Sequence, residues 1–167
     1  MKHVPVTRIA LWSLFGFVAA LQISIVAAQA LLAVVVICWL AMIGSGRARF
    51  AAPPFFRPLL VYAALTMAAT VFSVDPRASL ADDKQLLLLL IVPAVYEMAR
   101  GARARTVVHV VITVGAATAV YGIVQYGILH YDNLGQRPQG SMGHYMTYSG
   151  LLMLAATAAA SRLLFES

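Results

Sequence analysis

From Ile9 to Ile43 the chain runs for thirty-five residues without a single charged side chain. Shorter apolar runs, with at most one Asp, Glu, Lys or Arg each, recur at Pro58–Ser73, Gln85–Ala99, Thr106–Leu129 and Gly150–Phe165. An α-helix needs about 20 residues to cross a hydrocarbon core of about 30 Å. Inside lipid every backbone N–H and C=O must pair internally, so only helices and closed barrels can span it. Barrel strands alternate apolar and polar residues over about ten positions. Gln85–Ala99 and Thr106–Leu129 show no such alternation, which predicts helices. An all-α integral membrane protein is therefore expected. Hydrophobic residues make up 62% of the 167 and charged residues 11%, against about 25% charged in a soluble domain.

A single helix over 9–43 would be about 52 Å long at about 1.5 Å per residue, too long for one span. Gln22, Ser24 and Gln29 are its strongly polar interruptions, so the run divides into two short helices, 9–24 and 28–43. The Ala28-Gln29-Ala30 step resembles a signal-peptide cleavage site after a basic start and an apolar stretch. The apolar run continues past it, which argues against cleavage. Four more helices follow, at 58–73, 85–99, 106–129 and 150–165. Pro58 suits a helix start, where its missing N–H is not needed. The expected architecture is a bundle of about six transmembrane helices in one domain. The abrupt end after the sixth suggests the front part of a longer protein.

The net charge of +6 raises the question of nucleic acid. Its distribution answers against it. Nine of the twelve basic residues fall at the amino terminus, in the loops 44–57 and 100–105, and at Arg162. Four of the six acids (Asp75, Asp82, Asp83, Asp132) fall in the loops on the opposite side. That is the asymmetry that sets membrane topology. It predicts both termini in the cytoplasm, with 74–84 and 130–149 outside. The one cysteine, Cys38, lies in an apolar run and forms neither an internal disulfide nor a thiolate metal site alone; a small core hydrophobe is the plain reading.

The polar stretch His130–Ser149, HYDNLGQRPQGSMGHYMTYS, is where chemistry is most expected. Arg137 carries a permanent charge on a planar fork that suits phosphate oxygens. An interfacial arginine on lipid head groups is the bland alternative. His144 suits a donor or base, the roles open to an imidazole; a helix-start histidine bonded to backbone is its alternative. Gly140 and Gly143 with Ser141 fit a backbone anion nest or plain turn glycines. Tyr131, Tyr145 and Tyr148 fit an interfacial aromatic belt. Arg77, in the other outer loop, either joins Arg137 around an anion or pairs within its own loop. Asp82-Asp83 lacks a third acid for a metal, so no metal or cofactor is expected. Glu97 is expected to pair with Arg100, three residues on. Gln125 and His109 are polar groups within spans and are expected to face the bundle and bond across helices.

Two segments carry a family resemblance. Thr70–Gly101, TVFSVDPRASLADDKQLLLLLIVPAVYEMARG, and Tyr121–Met153, YGIVQYGILHYDNLGQRPQGSMGHYMTYSGLLM, resemble the O-antigen ligase family of membrane glycosyltransferases. The resemblance implies a protein of the bacterial inner membrane. It implies transfer of a glycan from a polyprenyl diphosphate carrier, at the outer face, to lipid A–core or to another glycan. Neither metal nor nucleotide sugar is implied. Arg137 and Arg77 would hold the diphosphate, with His144 positioning substrate or acting as a catalytic group. The family's large outer loop belongs beyond the sixth helix, which leaves activity of this stretch by itself in question. A six-span transporter half is the rival from another class, and a non-catalytic membrane scaffold is a third. Neither a three-helix repeat nor a charge at mid-span supports the transporter.

Overall fold

The computed structural model describes residues 5–133 and 135–165. It is all-helical among them. The helices are α1 (Pro5–Ala20), α2 (Ile25–Gly44), α3 (Phe56–Val71), α4 (Pro76–Asp83), α5 (Ile91–Met98), α6 (Ala102–Gly127) and α7 (Tyr145–Phe165). A 3₁₀ segment, Lys84–Leu90, joins α4 to α5. Three helices are long and apolar enough to cross a membrane: α2, α6 and α7, of 20, 26 and 21 residues. The apolar helices α1 and α3 have 16 residues each. They reach only about 24 Å.

The long first run divides where its polar residues predict. The chain turns at Leu21–Ser24, and Ser24 caps α2 by accepting from the Ala27 N–H at 3.5 Å. An extended serine with its oxygen aimed at the third amide is a standard helix start. α1 and α2 then pack as an antiparallel hairpin around Ala10, Leu14, Val35 and Trp39, all at most 1% exposed. Cys38 joins this core, half-buried. Trp39 extends it through Phe50 to Phe56, with ring centroids 5.8 and 6.4 Å apart, so the 45–55 loop folds back on α2. Pro93, Ala94 and Met98 of α5 cover another part of α2.

The expected single helix over 85–99 is instead 3₁₀ up to Leu90 and α from Ile91. Pro93 supplies the reason. Inside a continuous helix its ring would collide with the Leu89 carbonyl, at a cost of about 3 kcal/mol. Restarting at Ile91 puts Pro93 in a first turn, where no intrahelical N–H is needed. The expected 74–84 loop also contains a helix. Asp75 Oδ1 accepts from the Arg77 and Ala78 amides, both at 3.1 Å, and Pro76 takes the first helical position. This short α4 is tied to α3. Thr70 Oγ1 donates to Asp83 Oδ2 at 2.6 Å, and the Ser73 and Ser79 hydroxyls lie 2.7 Å apart.

α6 and α7 form a second antiparallel pair, brought together by small residues. A Cβ on Gly115 would stand 2.5 Å from the Ala155 Cβ, and one on Gly122 2.2 Å from the Tyr148 hydroxyl. Lipid tails are as apolar as leucine, so close packing of this kind replaces hydrophobic drive between helices. The two pairs meet through Gln22, which is 5% exposed. Its Nε2 donates to the Val111 carbonyl at 3.1 Å.

Gly115→Ala should destabilise by about 1–3 kcal/mol, because the Ala155 Cβ it meets is fixed to backbone. Gly150→Ala, with open space around it, should stabilise α7 by up to about 1 kcal/mol. Thermal unfolding of the two variants in detergent checks both signs.

Candidate functional site

The polar segment between α6 and α7 is held by one side chain. Gln125, in the last turns of α6, is 3% exposed. Its Oε1 accepts from the Gln139 and Gly140 amides at 3.1 and 2.9 Å, and its Nε2 donates to the Gly140 carbonyl at 3.1 Å. A carboxamide offers donor and acceptor together, so it satisfies both faces of the passing backbone. Gly140 is at φ +59°, and a Cβ there would fall 2.6 Å from the Tyr148 ring. Glycine meets both demands at no steric cost. The Tyr148 hydroxyl donates to the Thr118 carbonyl one turn before Gly122. Ser141 Oγ donates to the Ile23 carbonyl at 2.7 Å, so the segment also rests on the α1–α2 turn.

Its first part leaves α6 through His130, at φ +56°, with the Tyr131 amide returning to the Gln125 carbonyl at 3.0 Å. Asn133 Oδ1 accepts from the Gly135 and Gln136 amides at 2.9 and 2.8 Å. Such Asx turns fix a loop without regular structure. Arg137 follows, and its guanidinium carbon lies 5.2 Å from the Tyr145 ring centroid. His144 stacks on the same ring, 5.7 Å away and 8° from parallel. A cavity of about 140 Å³ opens beside them, lined by Tyr131, Gly135, Gln136, Arg137, Gln139 and Tyr145. A separate apolar cavity of about 360 Å³ reaches the segment from the hairpin side, lined among others by Leu21, Ile25, Leu88, Met142 and Leu151.

Of the residues singled out in the sequence, Arg137 and His144 are brought together through Tyr145. Arg77 is not among the lining. It is exposed in the first turn of α4, beside the Asp75 cap. Gly140 and Gly143 both have positive φ. The Gly140 amide is already bound by Gln125, which favours the turn-glycine reading over a free nest. His144 precedes α7 and its carbonyl accepts from the Tyr148 amide at 3.1 Å. Of the tyrosine belt, Tyr145 is exposed and Tyr148 is only 5% exposed, a packing residue. Glu97 pairs with Arg100 at 3.0 Å as expected. Gln125 is buried, but it bonds the loop rather than another helix. His109 bonds Arg162 of α7 from an exposed position. The Asp82 side chain lies outside the described residues, and among those described no three His, Cys, Asp or Glu side chains gather.

Replacing Gln125 with leucine strands three backbone groups, each costing about 1–3 kcal/mol when buried unpaired. Hydrogen exchange at the Gln139 and Gly140 amides should accelerate at least about tenfold in Gln125→Leu, with the α1–α2 hairpin unchanged.

No family model, curated protein or solved structure matches the chain.

Proposed function

We propose that the chain is an O-antigen ligase-like membrane protein that binds a polyprenyl diphosphate-linked glycan at the mouth of the α6–α7 pair. The observation that carries this is the polar cavity at Arg137, with its guanidinium set against Tyr145. A leaving diphosphate needs fixed positive charge aimed at its oxygens. The fork of an arginine supplies that without a change of protonation. Stacking on an aromatic face limits the side chain to few orientations while leaving its N–H groups free for the ligand. Alongside, the apolar cavity at Met142 offers the first isoprene units a path down the hairpin. The two resembling segments support the same assignment from the sequence.

In this reading His144 positions the glycan or the acceptor hydroxyl beside the diphosphate, with Tyr145 as its backing. Arg77 acts at the periphery, as an approach charge. The acceptor is lipid A–core or a second carrier-linked glycan. The membrane is the bacterial inner membrane, with the 130–149 segment on its outer face and both termini inside, a reading that the charge asymmetry supports. Six membrane segments then count α1 and α3, with 84–98 as the broken fourth.

The test is binding of undecaprenyl diphosphate to the purified chain in detergent, followed by the rise in unfolding temperature. Arg137→Ala should weaken it about 10–100-fold, since hydrogen bonds to charged groups contribute about 1.5–3 kcal/mol. Arg77→Ala should weaken it about fivefold or less. Undiminished binding by Arg137→Ala would remove the basis of the assignment.

A further inference from the structure

A cavity of about 530 Å³ lies between α5 and the start of α6, walled among others by Pro53, Phe55, Ile91, Val95, Tyr96 and Val107. We propose that it seats one acyl chain of an anionic phospholipid, with the phosphate held at its mouth by Arg103. The cavity follows from how the chain turns. α5 packs on α2, while α6 packs on α1 and α7. The two helices, joined through Gly101 at φ +58°, thus turn to different partners. From Ala99 back to Ile91 the wall runs about 12 Å along α5. It starts at the first turn of α6, a helix long and apolar enough to cross a membrane. Tyr96 is the one lining residue with a polar side chain among those described. Water lacks partners in such a space, and a void would forfeit dispersion contacts along its walls. A hydrocarbon chain meets both conditions.

The charges at the mouth divide into a paired set and a free one. Arg100 donates from Nε to the Tyr96 carbonyl at 3.2 Å, and its Nη2 lies 3.0 Å from Glu97 Oε2. Its guanidinium carbon lies 5.0 Å from the Tyr96 ring centroid. Arg100 therefore braces Tyr96, and Glu97 offsets its charge. Arg103 has no such ties. It is exposed, and its side chain has no polar partner among the described residues. It stands four residues before Val107, one turn away on the same face of α6. Arg57, two residues past Phe55, is likewise exposed and without a polar partner among the described residues. An apolar slot thus ends beside cations that nothing in their surroundings compensates. That is the division within an anionic phospholipid, apolar in the chain and charged at the head. Lipid tails are as apolar as the slot, so the chain supplies fit and the head group decides the choice of lipid. Basic pockets between membrane helices hold acidic head groups in this way.

The site shares no residue with the Arg137 cavity, so the proposal stands apart from the glycan reading. The experiment is native mass spectrometry of the detergent-purified full chain with dioleoylphosphatidylglycerol, dioleoylphosphatidylcholine or inorganic phosphate. The phosphatidylglycerol should bind at least about tenfold more tightly than the phosphatidylcholine. Arg103→Gln should weaken it about fivefold and Arg57→Gln/Arg103→Gln about 25-fold, following the usual contribution of one arginine near the membrane surface. Arg77→Gln, beyond the far end of α3, should lose nothing. Val107→Phe puts a ring into the slot and should weaken binding at least about tenfold. Val120→Phe, at an exposed position of the same helix, should not. Arg103 is exposed, so its variant decides the matter even if Val107→Phe fails to fold. Equal binding of the two lipids would overturn the proposal. So would displacement of the lipid by millimolar inorganic phosphate, or unchanged binding by Arg103→Gln or by folded Val107→Phe.

Discussion

The three hydrogen bonds of the Gln125 carboxamide hold the polar segment in place, and the candidate site depends on them. A segment of this kind has few apolar contacts of its own to fix it. Buried in one spot at Gly140, it is pinned there by a side chain that replaces the pairing a strand or helix would provide. Everything on either side follows from that anchor. Before it, the Asn133 turn sets where Arg137 leaves the loop. After it, Ser141 crosses to Ile23 and His144 starts α7. Tyr148 then fills the space that Gly122 and Gly140 leave empty. The glycines matter here for what they lack.

Much of this architecture was visible in the sequence because lipid imposes so few solutions. Uncharged runs longer than a span could only be helices, and Gln22 and Ser24 marked where the longest one turns. The Glu97–Arg100 pair and the half-buried Cys38 followed from spacing and surroundings. What escaped was set by local geometry or by distant partners. The polarity of the 74–84 segment points to a loop. Yet Asp75-Pro76 is a capping residue followed by a proline at the first helical position, and that signal was present. Pro93 likewise announced a break in the 85–99 helix. By contrast nothing near Gln125 in the sequence names Gly140 as its partner, fifteen residues on. Tyr148 had the composition of an interfacial tyrosine, and only the two glycines opposite it explain its burial. At the candidate site the residue types of Arg137 and His144 were legible, and their common contact with Tyr145 was not.

The α6–α7 pair gives the molecule two ends of different character. At one end a structured loop surrounds a small polar cavity. At the other Arg105 and Arg162 border a groove walled by Ala104, Val108, Ala158 and Phe165. Between them Gly115 and Ala155 bring the backbones close. Gly122 lets the Tyr148 ring approach in the same way nearer the polar loop.

The α1–α2 hairpin completes the argument. α1 is about 24 Å long, short of a full crossing. Gln22 at its turn reaches α6 at Val111, well inside that helix, where an unpaired carboxamide would be costly. The Val111 carbonyl accepts from its Nε2, which leaves the buried Oε1 without a partner among the described residues, and the Ser141 hydroxyl donates to the Ile23 carbonyl. A hairpin that stops short therefore leaves room at its tip, and the polar segment closes over it. The loop that carries Arg137 has a protein floor rather than a lipid one, and this lets irregular backbone lie close to the membrane. A longer α1 would have driven its turn through the space that Gly140 and Ser141 occupy. The shortness of α1, which looks at first like an imperfect span, is what makes room for the candidate site.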